Sequence, residues 1–195
     1  TRHLIVLLVL ALVGAVVPFG SLSAQQIKGQ GGEEIQLLRD AAAAEAAGDL
    51  EEAEAILAAV LEGSPGSLNA ILAYERVLRA QGRLARVLPA VERLLEADPG
   101  ASVGRQVQLR TLSFLGRVDE LEAAGRSWIE HNPRLETPYR EAAEVWRERG
   151  ELGRAVAILE EGRSRLGRDD ALALELGTLH LERGELVRAA AEWDL

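Results

Sequence analysis

Apolar residues are distributed along this chain in two different ways. From Leu4 to Ala24 the sequence LIVLLVLALVGAVVPFGSLSA has no ionisable side chain and no polar face. From about Glu33 to Leu195 apolar residues recur in helical patterns broken at regular points by glycine and proline. The first pattern predicts one wholly apolar helix, the second a train of amphipathic ones. Between them QQIKGQGG, Gln25 to Gly32, is polar and glycine-rich and predicts a short flexible joint.

The breaks in the second pattern are periodic. Gly48, Gly82, Gly116, Gly150 and Gly184 stand 34 residues apart, each followed by Asp, Arg or Glu. Pro65, Pro99 and Pro133 keep the same 34-residue step, with Gly167 where a fourth proline would fall. A residue able to take positive φ between two helical patterns marks a tight helix-to-helix turn. Ser64-Pro65, Asp98-Pro99 and Asn132-Pro133 end the second helix of a unit, because the residue before proline is pushed out of the α region. Five residues after each turn glycine comes a small or aliphatic side chain, Ala53, Val87, Leu121, Ala155 or Ala189, suited to a close helix approach. Each unit therefore reads helix, turn, helix, stop, and such units bury their apolar faces only by stacking.

These features resemble the tetratricopeptide repeat family over about Glu34 to Leu195. Leu176-Gly177 resembles the family's Leu-Gly pair in the first helix, and Gly-x-x-x-x-Ala occurs at Gly48–Ala53, Gly150–Ala155 and Gly184–Ala189. The family's early aromatic position holds Leu37, Ile71, Arg105, Tyr139 and Ala173, so the third repeat departs furthest and its first helix is expected to be the least regular. The resemblance implies an all-α solenoid of about five 34-residue helix-turn-helix repeats, preceded by one apolar N-terminal helix. The divisions are residues 1–24, 25–33 and 34–195, and the second helix of the fifth repeat is expected to be incomplete at Leu195.

In the resembled family, peptide contacts come from recurrent positions on the first helices, which line a concave wall. Those positions here include Asn69, Arg76, Arg79, Gln106, Arg110, Arg140 and Arg147. Arginine forks bind carboxylates in pairs, so the expected ligand is an acidic segment or a chain terminus of a partner protein. The family's lysine and asparagine carboxylate clamp is not reproduced. Glu144 and Glu148 interleave with Arg140 and Arg147 at helical spacing and offer them partners within the helix, whereas Arg76, Arg79 and Arg110 have only Glu75 close in sequence.

Composition narrows the picture further. Ala, Leu, Glu and Arg dominate, aromatic residues are 4%, and 48% apolar with 27% charged residues fits a folded helical protein. The absence of cysteine excludes disulfides, thiolate metal sites and an N-terminal lipidated cysteine. A net charge of −9 argues against general nucleic-acid binding. His3, His131 and His180 lie in unrelated places, and His180 falls at a position expected to be half-buried core. Glu51, Glu52 and Glu54 are expected on an outward, solvated face. No phosphate loop, nucleophile elbow or zinc-protease helix occurs, and Gly29, Gly31 and Gly32 follow no strand. No enzymatic activity, cofactor or metal is expected.

An apolar run of about 20 residues is long enough to span a bilayer, and Arg2 and His3 at its start predict a cytoplasmic N-terminus with the rest exported. Uncleaved, it is a signal-anchor that leaves the repeats on the periplasmic or extracellular side. Pro18 and Gly20, followed by Ser21, Ser23 and Ala24, instead fit a cleaved signal peptide. The expected function is a protein-protein interaction scaffold, a membrane-tethered accessory subunit or adaptor of a cell-envelope complex. A secreted or periplasmic binding module, or the non-catalytic N-terminal part of a larger envelope enzyme, are the alternatives.

Overall fold

A computed structural model describes residues 24–195, with side chains from Gly31 onward. Its ten α-helices run in pairs: α1 (Ala24–Ala47) with α2 (Leu50–Gly63), α3 (Leu68–Ala80) with α4 (Leu88–Ala97), and α5 (Ser102–Phe114) with α6 (Val118–His131). α7 (Glu136–Glu148) with α8 (Leu152–Leu166) and α9 (Ala173–Glu182) with α10 (Leu186–Trp193) complete the series. The described chain is an all-α solenoid with no strand among its elements. First helices touch first helices, α1 with α3, α3 with α5 and α5 with α7, which sets them on the inner side of the curve.

The turn chemistry is as the period requires. Gly48, Gly82, Gly116, Gly150 and Gly184 all adopt positive φ, between 69° and 82°. The residues five places on, Ala53, Val87, Leu121, Ala155 and Ala189, are all buried where paired helices meet. Ser64, Asp98 and Asn132, each ahead of a proline, leave the helical region with φ near −135°. Gly167 ends α8 by a different device, a left-handed cap at φ 66°.

Four expectations change. Residues 25–33 are not a joint but the opening turns of α1. Ala41 and Ala44 fix that helix in the core, and extending a nucleated helix past a few glycines costs only about 1 kcal/mol for each. The irregular element is not α5, which is continuous, but the start of the second helix in repeat two, where Leu84–Val87 form a 3₁₀ turn ahead of α4. Pro89 is the cause, since its ring would clash with the carbonyl four residues earlier in a continuous α-helix. Glu54 is buried rather than solvated, held by Arg83 and Arg86 of the next repeat. His180 is fully rather than half buried, and its Nδ1 lies 2.7 Å from Glu185 Oε2, closing the last hairpin. The apolar run at 4–24 lies, but for Ala24, outside the described residues, and no described helix is long and apolar enough to cross a membrane.

The core divides at α5. One apolar cluster reaches from Ala41 to Val107 and a second from Leu88 to Leu179. The divergence of the third repeat is expressed at this seam: α5 buries Gly104, Arg105 and Thr111 where neighbouring repeats bury aliphatic or aromatic side chains.

Candidate functional site

The inner wall is built by one face of each first helix. Near its N-terminal end, small side chains at Ala41, Ala42 and Ala73 leave a hollow of about 440 Å³ between α1 and α3. Its rim carries Ile35, Leu38, Asn69 and Arg76. Beyond it along the wall, Leu72 and Phe114 remain exposed, Phe114 at 66%. Arg79 stacks over the Phe114 ring, 5.4 Å from its centroid.

The five arginines expected on this wall all meet carboxylates, most of them from a neighbouring repeat. Arg76 donates from Nε and Nη2 to both oxygens of Glu45, each at 2.6 Å, a fork that bridges repeats one and two. Arg79 and Arg110 share Glu75, each with Nη2 2.8 Å from one of its oxygens. Arg140 stands 3.8 Å from Glu175. Arg147 is held by Glu144 through two of its nitrogens and donates from Nη1 to Glu182 at 2.8 Å. Asn69 and Gln106 share the wall with them, Asn69 exposed and Gln106 half-buried.

This pattern changes the electrostatic reading of the wall. It is not uniformly basic, because Glu45, Glu75, Glu144, Glu175 and Glu182 lie among its arginines. Charge is unevenly shared, however. Two guanidinium groups rest on the single buried carboxylate of Glu75, leaving a positive surplus at repeats two and three. Arg147 faces two carboxylates, so repeats four and five carry a local deficit. The hydrogen bonds from Arg76 and Arg147 hold the Glu45 and Glu144 carboxyls below the usual carboxylate range. The same contacts raise the pKa of both guanidinium groups, which stay charged at any accessible pH.

Sequence spacing found the Arg147–Glu144 pair, which is local, and placed Glu75 close to Arg76 and Arg79, of which it pairs with Arg79, but it left Arg110, 35 residues further on, without a partner. It missed Glu45, which lies 31 residues before Arg76, and Glu182, 35 after Arg147. Those separations are close to one period, so a search for opposite charges one repeat apart would have found both. Among the described residues no group of histidines and acids could hold a metal ion.

The tetratricopeptide repeat family model matches residues 44–108. No curated protein sequence matches the chain. Among solved structures the chain is similar to a tetratricopeptide protein of Thermus thermophilus, TTC0263, at 20% identity and a TM-score of 0.50, covering 83% of this chain and 88% of that one. It is also similar to Pseudomonas aeruginosa pilF, at 17% identity and a TM-score of 0.53, over 85% of this chain and 76% of that one. A tetratricopeptide repeat protein from Parabacteroides merdae is 19% identical with a TM-score of 0.52, over 87% and 66% of the two chains. At these identities the likeness concerns fold. The matched segment, about a third of the chain, the 34-residue period and the shared architecture together support a tetratricopeptide-type solenoid fold for the described residues.

Proposed function

We propose that this protein is a membrane-tethered interaction scaffold whose inner wall holds a segment of a partner protein. One observation carries the reading: an apolar hollow and the exposed Leu72 and Phe114 lie along a wall with a positive surplus at Arg79 and Arg110. Exposed apolar side chains beside incompletely balanced charge are what a recognition surface needs, the apolar groups for affinity and the charge for orientation. Asn69, Arg76, Gln106, Arg140 and Arg147 complete the proposed wall, and the partner segment is acidic or ends in a free carboxylate where it meets Arg79 and Arg110. Support for the tether comes from the uncharged run 4–24 behind Arg2 and His3, which would leave the repeats on the exported side of a cell envelope.

Photo-crosslinking tests the wall. A benzophenone side chain placed at Leu72 should yield one defined adduct, identified by mass spectrometry, that disappears in the Arg79→Ala/Arg110→Ala double variant. The same probe at Glu130, exposed on α6, should yield none. An identical adduct from both positions, or one indifferent to the arginines, would overturn the assignment. A freely exported module with its leader removed is the second reading, favoured by Pro18 and Gly20 ahead of Ser21, Ser23 and Ala24. The intact mass of the mature chain decides between the two.

A further inference from the structure

Three charged side chains bury themselves in the described solenoid besides His180, and two of them are accounted for: Glu54 and Glu75 each sit between two arginines. Arg105 is different. It is 94% buried, since its relative exposure is 6%, and every partner of its guanidinium is uncharged. Nε donates to the Pro99 carbonyl at 2.9 Å, Nη1 to Gln108 Oε1 at 3.2 Å and Nη2 to Ser127 Oγ at 3.2 Å. A guanidinium has five N–H groups, so these bonds leave two unspent. Burial alone acts on its pKa, and lowers it, because no neighbouring carboxylate offsets the lost hydration.

Part of this arrangement is structural. Tyr139 occupies the equivalent position one repeat later and also donates to the carbonyl of the proline six residues before it, Pro133, at 2.9 Å. The Nε bond to Pro99 reproduces that contact, but it explains neither the charge nor the two remaining N–H groups.

Arg105 forms the floor of a recess of about 300 Å³ between α4 and α6, on the side opposite the inner wall. Gln108 and Ser127 flank it with further hydrogen-bonding groups, and Leu88 and Leu112 give it apolar walls. Two acids stand at the mouth. Glu120 is gripped by both ends of the Arg117 fork, which neutralises it, while Glu92 is exposed. One negative charge at the entrance disfavours a dianion such as phosphate more than a monoanion. We propose that the Arg105 recess is a second binding site, independent of the inner wall, that takes a carboxylate carried on a short apolar stem. The carboxylate accepts the unspent guanidinium N–H groups and supplies the missing countercharge, while the stem lies against Leu88 and Leu112.

The test uses the full chain, ¹⁵N-labelled in mild detergent, titrated with butyrate, butyramide and phosphate while the Arg105 side-chain Nε–H and Ser127 amide resonances are followed. Butyrate should shift both saturably, phosphate should bind more weakly, and neutral butyramide should leave them unmoved. Replacing Arg105 would remove the reporter resonance and repack the recess at once, so the recess is closed instead by Ala123→Phe at an exposed position on its edge, which should weaken butyrate by at least about tenfold. A five-residue capped peptide with one central Glu among alanines separates the sources. Binding tighter than butyrate, lost on Glu-to-Gln replacement, identifies a partner's side chain; weaker binding identifies a free small acid. The proposal is overturned if butyrate gives no saturable shift, if butyramide matches it, if phosphate binds more tightly, or if Ala123→Phe changes nothing.

Discussion

Two buried glycines in second helices give the sharpest test of the packing, because the same substitution should act in opposite directions. A Cβ added at Gly125 in α6 would meet Ala142 Cβ at 3.6 Å and Leu109 Cδ2 at 3.9 Å, ordinary contact distances. At Gly162 in α8 it would lie 2.6 Å from Tyr139 Cγ and 2.8 Å from Leu172 Cδ1. Neither neighbour of Gly162 can yield cheaply. Tyr139 is fully buried and anchored by its hydroxyl to Pro133, and Leu172 is buried in a left-handed conformation at φ 60°. Replacing glycine by alanine inside a helix stabilises by about 1 kcal/mol. Overpacking a close-fitted core costs about 1–3 kcal/mol. Gly125→Ala should therefore gain about 1 kcal/mol, or roughly 2–4 °C in Tm for a chain of this size. Gly162→Ala should lose about 1–2 kcal/mol after the helix term is subtracted, because contacts under 3.0 Å with two buried side chains put it in the upper part of the overpacking range. Urea unfolding followed by far-UV circular dichroism, with equal slopes for both variants, measures each value. A Gly162→Ala protein as stable as the parent, or a Gly125→Ala protein less stable, would refute the packing described for α6 and α8.

Further predictions concern the charges. Glu75→Gln should destabilise by about 1–2 kcal/mol in urea melts, less than the roughly 3–5 of a fully buried pair, because Arg79 and Arg110 are nearly half exposed and can turn to water. Arg105→Tyr, which copies Tyr139, should stabilise by about 1 kcal/mol or more by removing an uncompensated buried charge; a loss of stability would show that the site cannot accept the ring. Glu45 and Glu144 have folded pKa values below their unfolded ones, so their contribution is complete above the unfolded value near about 4.3 and is lost as pH falls through it towards the folded value. Tm measured from pH 7 down to about pH 3 should show that acid limb, and Arg76→Ala should flatten it by returning Glu45 to its ordinary range.

Much of the repeat plan was legible because it depends on local chemistry. A glycine must stand where φ turns positive, and a residue ahead of proline must leave the helix, whatever surrounds it. Ala53, Val87 and Leu121 were likewise placed from their distance to the turn alone. What misled was also local: the glycines of residues 25–33 read as a joint, and Arg105 in the aromatic position read as a weak helix. Both judgements treated intrinsic preference as decisive, whereas α1 is carried by its packing and α5 by the neighbours of Arg105.

Sequence by itself determined the number of units and their turns, since period and turn geometry are properties of a few adjacent residues. The tertiary structure decided how the wall is charged. Arg76 looked available because its partner Glu45 lies about one repeat away along the chain, yet stacking sets them side by side, and the same stacking adds Glu182 to Arg147. It also decided that Arg79 and Arg110 lean on one carboxylate, and that Arg105 is buried with none. Charge balance at a point depends on every group brought near it through space, and only the superhelical stacking of one repeat on the next fixes those distances.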